Sequence, residues 1–191
     1  MSVPSDERAR ALVAQVLAAI DPRVNVELEP HLATLPVDRH IVLCGHRAAG
    51  KSRLLPLVGE LTGRRTFDLD AQMERREGRA IFDWLRQDPA GFRSAERRVF
   101  EALPLPGAVV AVGGGFLAHH ADLLARHLPV LVPISFETYR ERLQTDSSRP
   151  RLRPDLDLDA ELRETFRARE AIHSALPTVS LGAFLAHWRS P

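Results

Sequence analysis

The stretch Gly45-His46-Arg47-Ala48-Ala49-Gly50-Lys51-Ser52 follows the apolar run Ile41-Val42-Leu43-Cys44 and precedes Leu54, Leu55, Leu57, Val58 and Leu61. A buried strand, a glycine-punctuated turn and an amphipathic helix, in that order, are the setting of a phosphate-binding loop. The backbone N–H groups of Ala48 to Ser52 are expected to turn inward and form, with the positive end of the helix, a nest for phosphate oxygens. Lys51 then supplies a mobile positive charge at the β- and γ-phosphates, and the Ser52 hydroxyl a ligand for Mg²⁺. Such a pattern fixes only four positions and can match by chance. The strand and helix signals on either side are what give it weight.

A loop of this kind needs a parallel sheet behind it, and 191 residues suffice for one α/β domain that buries roughly 70% of its unfolded surface. Lys and Arg number 26 against 25 Asp and Glu, so no overall field draws the chain to nucleic acid or to an anionic membrane. The single cysteine, Cys44, ends an apolar strand, where a small buried residue is expected rather than a reactive thiol, and no disulfide can form within one chain. No apolar run approaches the length of a membrane span, the N-terminus lacks a signal-peptide pattern, and Asp6 and Glu7 argue against a transit peptide. These features point to a soluble, cytoplasmic protein, expected to be a monomer, without nucleic-acid or membrane partners.

Residues 1–40 form an extension ahead of the strand. Leu12, Val13, Val16, Leu17 and Ile20 recur at helical spacing, with Ser5 as N-cap and Asp21-Pro22 as a stop, and an irregular connector with Pro22, Pro30 and Pro36 follows. Its apolar stripe can pack on the domain, meet a partner or join a second subunit. Over residues 41–191 strands and helices alternate. Helices are expected at about 51–62, 71–77, 79–103 in two parts broken at Asp88-Pro89, 120–127, 136–144, 159–175 and around Phe184, Leu185 and Trp188. Strands are expected at 41–44, up to Asp68, 108–112, 130–134 and 178–181. This alternation implies an α/β architecture, a parallel sheet covered on both faces, with ligands at the carboxyl ends of the strands. The stretch 145–159, rich in Ser, Pro, Arg and Asp, is too long for a simple connector and is expected to be a lid.

Asp68 and Asp70 stand two apart at a strand's carboxyl end, which would aim both to one side, beside the phosphate loop. A helix N-cap with a solvated neighbour is the plainer explanation. A kinase, however, needs one carboxylate for Mg²⁺ and another to orient a hydroxyl and accept its proton. Arg93 and Glu96 are three apart on one helical face, either a surface ion pair or a guanidinium held in position. Gly113-Gly114-Gly115 after a buried strand lets backbone N–H groups approach a ligand, or simply makes a loose turn. Arg149, Arg151 and Arg153 in the expected lid can close over phosphates, although a solvated basic face is the ordinary explanation for such arginines, and Arg169 lies on the following helix. The eight histidines show no zinc-like spacing, and His119-His120 is expected to start a helix or lie exposed.

Taken in order, these signals resemble the shikimate kinase family over residues 41–181: the phosphate loop, Asp68-x-Asp70-x-x-x-Glu74, Gly78-x-x-Ile81, Phe92-Arg93-x-x-Glu96, Val112-Gly113-Gly114-Gly115, Arg149-Pro150-x-Leu152 and Arg169. The resemblance implies a nucleoside-monophosphate-kinase-like three-layer fold with a five-stranded parallel sheet. It also implies transfer of the γ-phosphoryl of ATP, with Mg²⁺, to the 3-hydroxyl of shikimate. By that likeness Gly45, Ala48, Ala49, Gly50, Lys51, Ser52, Arg53 and Arg149 bind the nucleotide, and Ser52 and Asp68 serve Mg²⁺. Asp70 holds and deprotonates the hydroxyl. Arg93, Arg169 and Gly113 to Gly115 hold the substrate, while Lys51 and Arg149 stabilise charge on the transferring group. Two forked guanidiniums on a carboxylate and a carboxylate on hydroxyls do suit a small carboxylated ring.

Several positions depart from the family. Ala48 replaces a middle glycine, a change that costs little if φ stays negative, and Arg53 replaces a threonine. The Gly-Glu pair before Phe92 is absent from a segment one residue shorter, and the first forty residues exceed the usual start. A kinase of another polyol acid such as gluconate is a second reading, against which the paired arginines and the glycine triplet weigh. A metabolite-sensing domain acting through a partner on residues 1–40 is a third, against which the complete phosphoryl-transfer set weighs.

Overall fold

The computed structural model describes residues 4–29, 35–104, 106–145, 151 and 155–188. In chain order the elements are α1 (Asp6–Ala19), β1 (Ile41–Cys44), α2 (Lys51–Thr62), β2 (Thr66–Asp68), α3 (Leu69–Glu77), α4 (Ile81–Gln87), α5 (Pro89–Glu101) and β3 (Val109–Ala111). They continue with α6 (Phe116–His119), α7 (Ala121–Leu124), β4 (Leu128–Leu131), α8 (Phe136–Thr145), α9 (Leu158–Ala175), β5 (Val179–Ser180) and α10 (Leu181–Ala186). The five strands pair in parallel in the order β2-β3-β1-β4-β5, as the alternation of strands and helices implied.

All four residues of the central strand β1 are fully buried, because both sheet faces are covered. The pleat divides them. Ile41 and Leu43, with Val109 and Ala111, face a core completed by α1, α2, α8 and α10, whereas Val42 and Cys44, with Val110 and Val112, face α3, α5 and α6. Burial also pushes the Cys44 thiol up to about 12, so it is a packing residue.

β4 starts two residues before the expected Val130 and takes in Pro129. Leu128 and Val132 donate to the carbonyls of His40 and Cys44 in and beside β1. Alternation therefore turns Pro129, which has no N–H, to the other side, ahead of the first β5 pair Val130–Val179. The helix expected at 120–127 is shortened to α7, and a separate turn, α6, precedes it. His120 at the break is buried and forms the N-cap of α7, while His119 is exposed, so the expectation that the pair starts a helix or lies exposed is met. Asp88 closes α4 and caps α5, accepting from the Gly91 N–H at 2.9 Å, which explains the break read at Asp88-Pro89.

The stripe of α1 packs on the domain: Leu12 and Val16 are fully buried in the core that contains α2. Ser5 caps it as expected, and Arg8 reaches Glu60 of α2 at 2.6 and 3.0 Å. Asp21 accepts from the Ser135 backbone and hydroxyl at 2.7 and 2.6 Å and from Thr138 at 2.8 Å. Burial opposes its charge, but these bonds outweigh that cost and hold the carboxyl well below the usual carboxylate range.

Candidate active site

The loop after β1 turns sharply because Gly45, Ala48 and Gly50 have φ of +124°, +58° and +90°. A Cβ on Gly45 would lie 2.7 Å from the Val132 carbonyl oxygen, so no side chain fits there. Ala48 does not keep the negative φ under which its replacement of a glycine costs little. It sits in the left-handed region, at a cost of about 1–2 kcal/mol for a residue with a Cβ. The Ala48 carbonyl accepts from Arg142 Nη1 at 2.6 Å, a contact that holds this turn from outside.

Lys51 begins α2, so the N–H groups of the first helical turn lie at the loop's mouth. Its side chain is buried and curls back, Nζ donating to the carbonyls of Gly45 at 3.1 Å and His46 at 2.5 Å. Ser52 Oγ donates to Asp68 Oδ2 at 2.5 Å. β2 ends at Asp68, which accepts from the Ala71 N–H at 3.2 Å and caps α3, so Asp70 lies in the first helical turn. The two carboxylates do face one site, but strand alternation is not the reason; the helix start is.

Two cavities meet here. One, of about 260 Å³, lies over the phosphate loop and is lined by Ala48, Gly50, Lys51 and Arg142 among others. The other, of about 480 Å³, extends between α3, α4 and α5 to Arg93, Glu96 and Arg169, with Ile81, Phe82, Leu85 and Phe92 as its apolar wall. Arg47, Ser52, Asp68, Asp70, Gly113 and Gly114 border both. The glycine triplet after β3 is as close to charged groups as backbone can be. A Cβ would lie 3.2 Å from Asp70 Oδ1 at Gly113, 3.0 Å from Arg169 Nη1 at Gly114 and 2.7 Å from Arg93 Nη2 at Gly115.

Arg93 Nη1 donates to Glu96 Oε2 at 2.6 Å, and the same oxygen meets His120 Nε2 at 2.9 Å. Glu96 is fully buried, so this is no surface pair; it fixes the guanidinium that borders the larger cavity. Arg169, with no such carboxylate bonded to it among the described residues, has its pKa pushed down to about 10 by burial and by Arg47 and Arg93 nearby. Arg47, Arg93 and Arg169 thus form a positively charged end suited to an anionic group.

The family profile described as shikimate kinase matches residues 47–182, more than half of the chain. The chain belongs to the shikimate kinase family. The Thermobifida fusca shikimate kinase is 36% identical over 147 residues, covering 73% of this chain and 83% of that protein. The Persephonella marina shikimate kinase is 31% identical over 141 residues, covering 71% and 84%. Among solved structures, the Acinetobacter baumannii shikimate kinase in complex with shikimate superposes with a TM-score of 0.66 at 28% identity, covering 81% of this chain and 90% of that one. The Aquifex aeolicus shikimate kinase gives 0.62 at 27% identity, covering 74% and 85%.

For this member of the shikimate kinase family, the structure gathers Ser52, Asp68, Asp70, Gly113 and Gly114 where the two cavities meet, Ala48, Gly50 and Lys51 in the phosphate cavity, and Arg93, Gly115 and Arg169 in the other. Gly45 and Ala49 are buried in the loop, and Arg53 is exposed and borders neither cavity. Arg149 and Arg153 lie outside the described residues. Arg151 donates to buried Glu161 at 2.7 Å. Sequence reasoning missed Arg47, Arg142, Phe82, Leu85 and His120. Arg47 occupies a position the loop pattern leaves open, and the others carry no motif.

Proposed function

We propose that this chain transfers the γ-phosphoryl of ATP to the 3-hydroxyl of shikimate, giving shikimate 3-phosphate and ADP. The carrying observation is that Asp70 borders both the phosphate-loop cavity and the cavity with the arginine end. A hydroxyl held at Asp70 lies where a terminal phosphate in the loop can reach it. The acid end of the substrate pairs with Arg93 and Arg169, and the ring lies against Ile81, Phe82, Leu85 and Phe92. Asp70 accepts the hydroxyl proton as the oxygen attacks phosphorus, and the bond to the ADP oxygen breaks. Lys51, whose ammonium is held in the loop by two carbonyls, offsets charge on the phosphates.

Ser52 and Asp68 suit Mg²⁺, because a hydroxyl and a carboxylate oxygen held 2.5 Å apart beside the loop are hard oxygen donors. The ion, when bound, neutralises phosphate charge. Every group invoked comes from one chain, and we place the enzyme in the cytoplasm, where ATP is supplied, acting as a monomer. No helix among the described residues is long and apolar enough to cross a membrane.

The test is ADP release in a coupled assay with and without shikimate. Release should require shikimate and be nearly abolished in Asp70→Asn and Arg93→Ala. Well-folded protein whose ATP turnover ignores shikimate would reject the proposal.

A further inference from the structure

Next to the phosphate loop, among residues given no role with ATP or shikimate, lie three side chains with metal-ligating atoms. His46 comes from the loop, and Glu170 and His173 come from α9, 124 residues or more further along the chain. One ligand atom from each lies within 4.8 Å of the other two. His46 Nε2 and Glu170 Oε2 are 2.9 Å apart, and the His46 and His173 rings meet edge to face with centroids 4.6 Å apart. Glu170 and His173 stand at i and i+3, so they project from one face of the helix, the spacing that metal-binding helix bundles use.

The plain account of this cluster is packing. His46 stacks on Phe166 at 4.0 Å with 5° between the rings, and its bond to Glu170 satisfies one nitrogen. That account leaves His46 Nδ1 buried with no hydrogen-bond partner among the described residues. A buried nitrogen without a partner costs about 1–3 kcal/mol, so packing alone does not satisfy this ring.

We propose that His46, Glu170 and His173 form a site for a borderline-soft divalent ion such as Zn²⁺. Two imidazoles and one carboxylate are the donor set such an ion selects over Mg²⁺, which favours oxygen. Both rings are buried, whereas Glu170 is exposed, so the ion enters from the Glu170 side and a water completes four-coordination there. The positive charges of Lys51 and Arg169 reach both rings and oppose a dication, while Glu170 offsets one of them. Binding is therefore weaker than at a structural zinc site with several thiolates. The consequence is mechanical. The His46 carbonyl holds Lys51 Nζ, and α9 carries Arg169, so an ion here clamps the phosphate half of the site to the substrate half.

The experiment uses the full chain, stripped with a chelator and titrated with Zn²⁺ by calorimetry and with Co²⁺ by visible absorption. Expected are one equivalent bound, the intense d–d absorption of four-coordinate cobalt, and a thermal midpoint that rises with Zn²⁺. In His173→Ala and in Glu170→Gln, the latter a change at an exposed position, affinity should fall by more than about 100-fold, beyond the loss of an outer-shell partner. Asp68→Asn should retain the cobalt spectrum, which separates this site from the Mg²⁺ donors. No four-coordinate cobalt signal, or binding unchanged in both variants, would overturn the proposal.

Discussion

Glu96, with no solvent exposure, holds the Arg93 guanidinium at 2.6 Å from one helical turn away, so the cation that borders the substrate cavity is fixed before any anion arrives. Preorganisation of this kind shows in substrate affinity. Glu96→Gln keeps the shape and one acceptor but removes the charge from a bond of the charge-assisted class, worth about 1.5–3 kcal/mol. The KM for shikimate should rise about 10-fold or more at saturating ATP, with the KM for ATP little changed. Equal shikimate KM values for variant and parent would mean that Arg93 needs no anchor.

Ala48 offers a stability gain at the phosphate loop. Its φ of +58° costs a residue with a Cβ about 1–2 kcal/mol. Glycine removes that cost but adds about 0.4–1 kcal/mol of unfolded-chain entropy. The first term is larger, so Ala48→Gly should stabilise by about 0.5–1 kcal/mol, seen as a higher denaturant midpoint at unchanged slope. A lower midpoint would show that the Ala48 methyl contributes packing that outweighs the backbone term.

What could be read from the chain beforehand depended on how local the signal was. The strand, turn and helix around Lys51 are contiguous, and their periodicity reports burial directly, so the loop and the parallel sheet were legible. The Asp68 and Asp70 pair was assigned to the right place for the wrong reason, because whether a strand ends at Asp68 or runs on depends on a cap to Ala71 that propensity does not reveal. The docking of α1 was illegible: an amphipathic stripe says that something covers it, not that Asp21 will be met by Ser135 and Thr138 more than 110 residues later. Distance in the chain also hid His46 from Glu170 and His173, since spacing rules see only neighbours.

Acid should weaken the fold through His40. Its Nδ1 accepts the Ala108 N–H at 3.0 Å, the His40 backbone N–H donates to His127 Nδ1 at 3.2 Å, and the two rings stack at 4.8 Å. Burial, then His127 and Arg64, lower its pKa to about 4. The unfolded value is near 6.5, so above that pH both states are neutral and the stabilisation is complete. As pH falls from about 6.5 towards 4 the unfolded chain binds a proton that the folded chain refuses, and roughly 3 kcal/mol is lost. His46, lowered to about 3, and His173, lowered to about 4, both chiefly by burial, act in the same direction. Urea midpoints measured between pH 7 and 4.5 should fall steeply. His40→Asn, whose Oδ1 can accept the Ala108 N–H without titrating, should flatten part of that slope; an unaltered slope would assign the loss to other groups.

The glycine triplet separates the two halves of the site by what each missing side chain would strike. A Cβ on Gly114 would lie 2.6 Å from the Arg47 backbone nitrogen and 3.0 Å from Arg169 Nη1. Arg169 can swing away, but the backbone of the phosphate loop cannot without distorting the turn that holds Lys51, so Gly114→Ala should raise KM for both substrates and lower the thermal midpoint. On Gly115 the nearest atom is Arg93 Nη2 at 2.7 Å, the far end of a flexible chain. Displacing it costs the fold little but moves a guanidinium that Glu96 had fixed. Gly115→Ala should therefore keep a near-parental midpoint and KM for ATP while KM for shikimate rises about 10-fold, the size expected for one charge-assisted contact. Paired KM measurements decide the matter. A Gly115→Ala enzyme that loses ATP and shikimate affinity equally would show that the two cavities do not divide the substrates as their lining residues indicate.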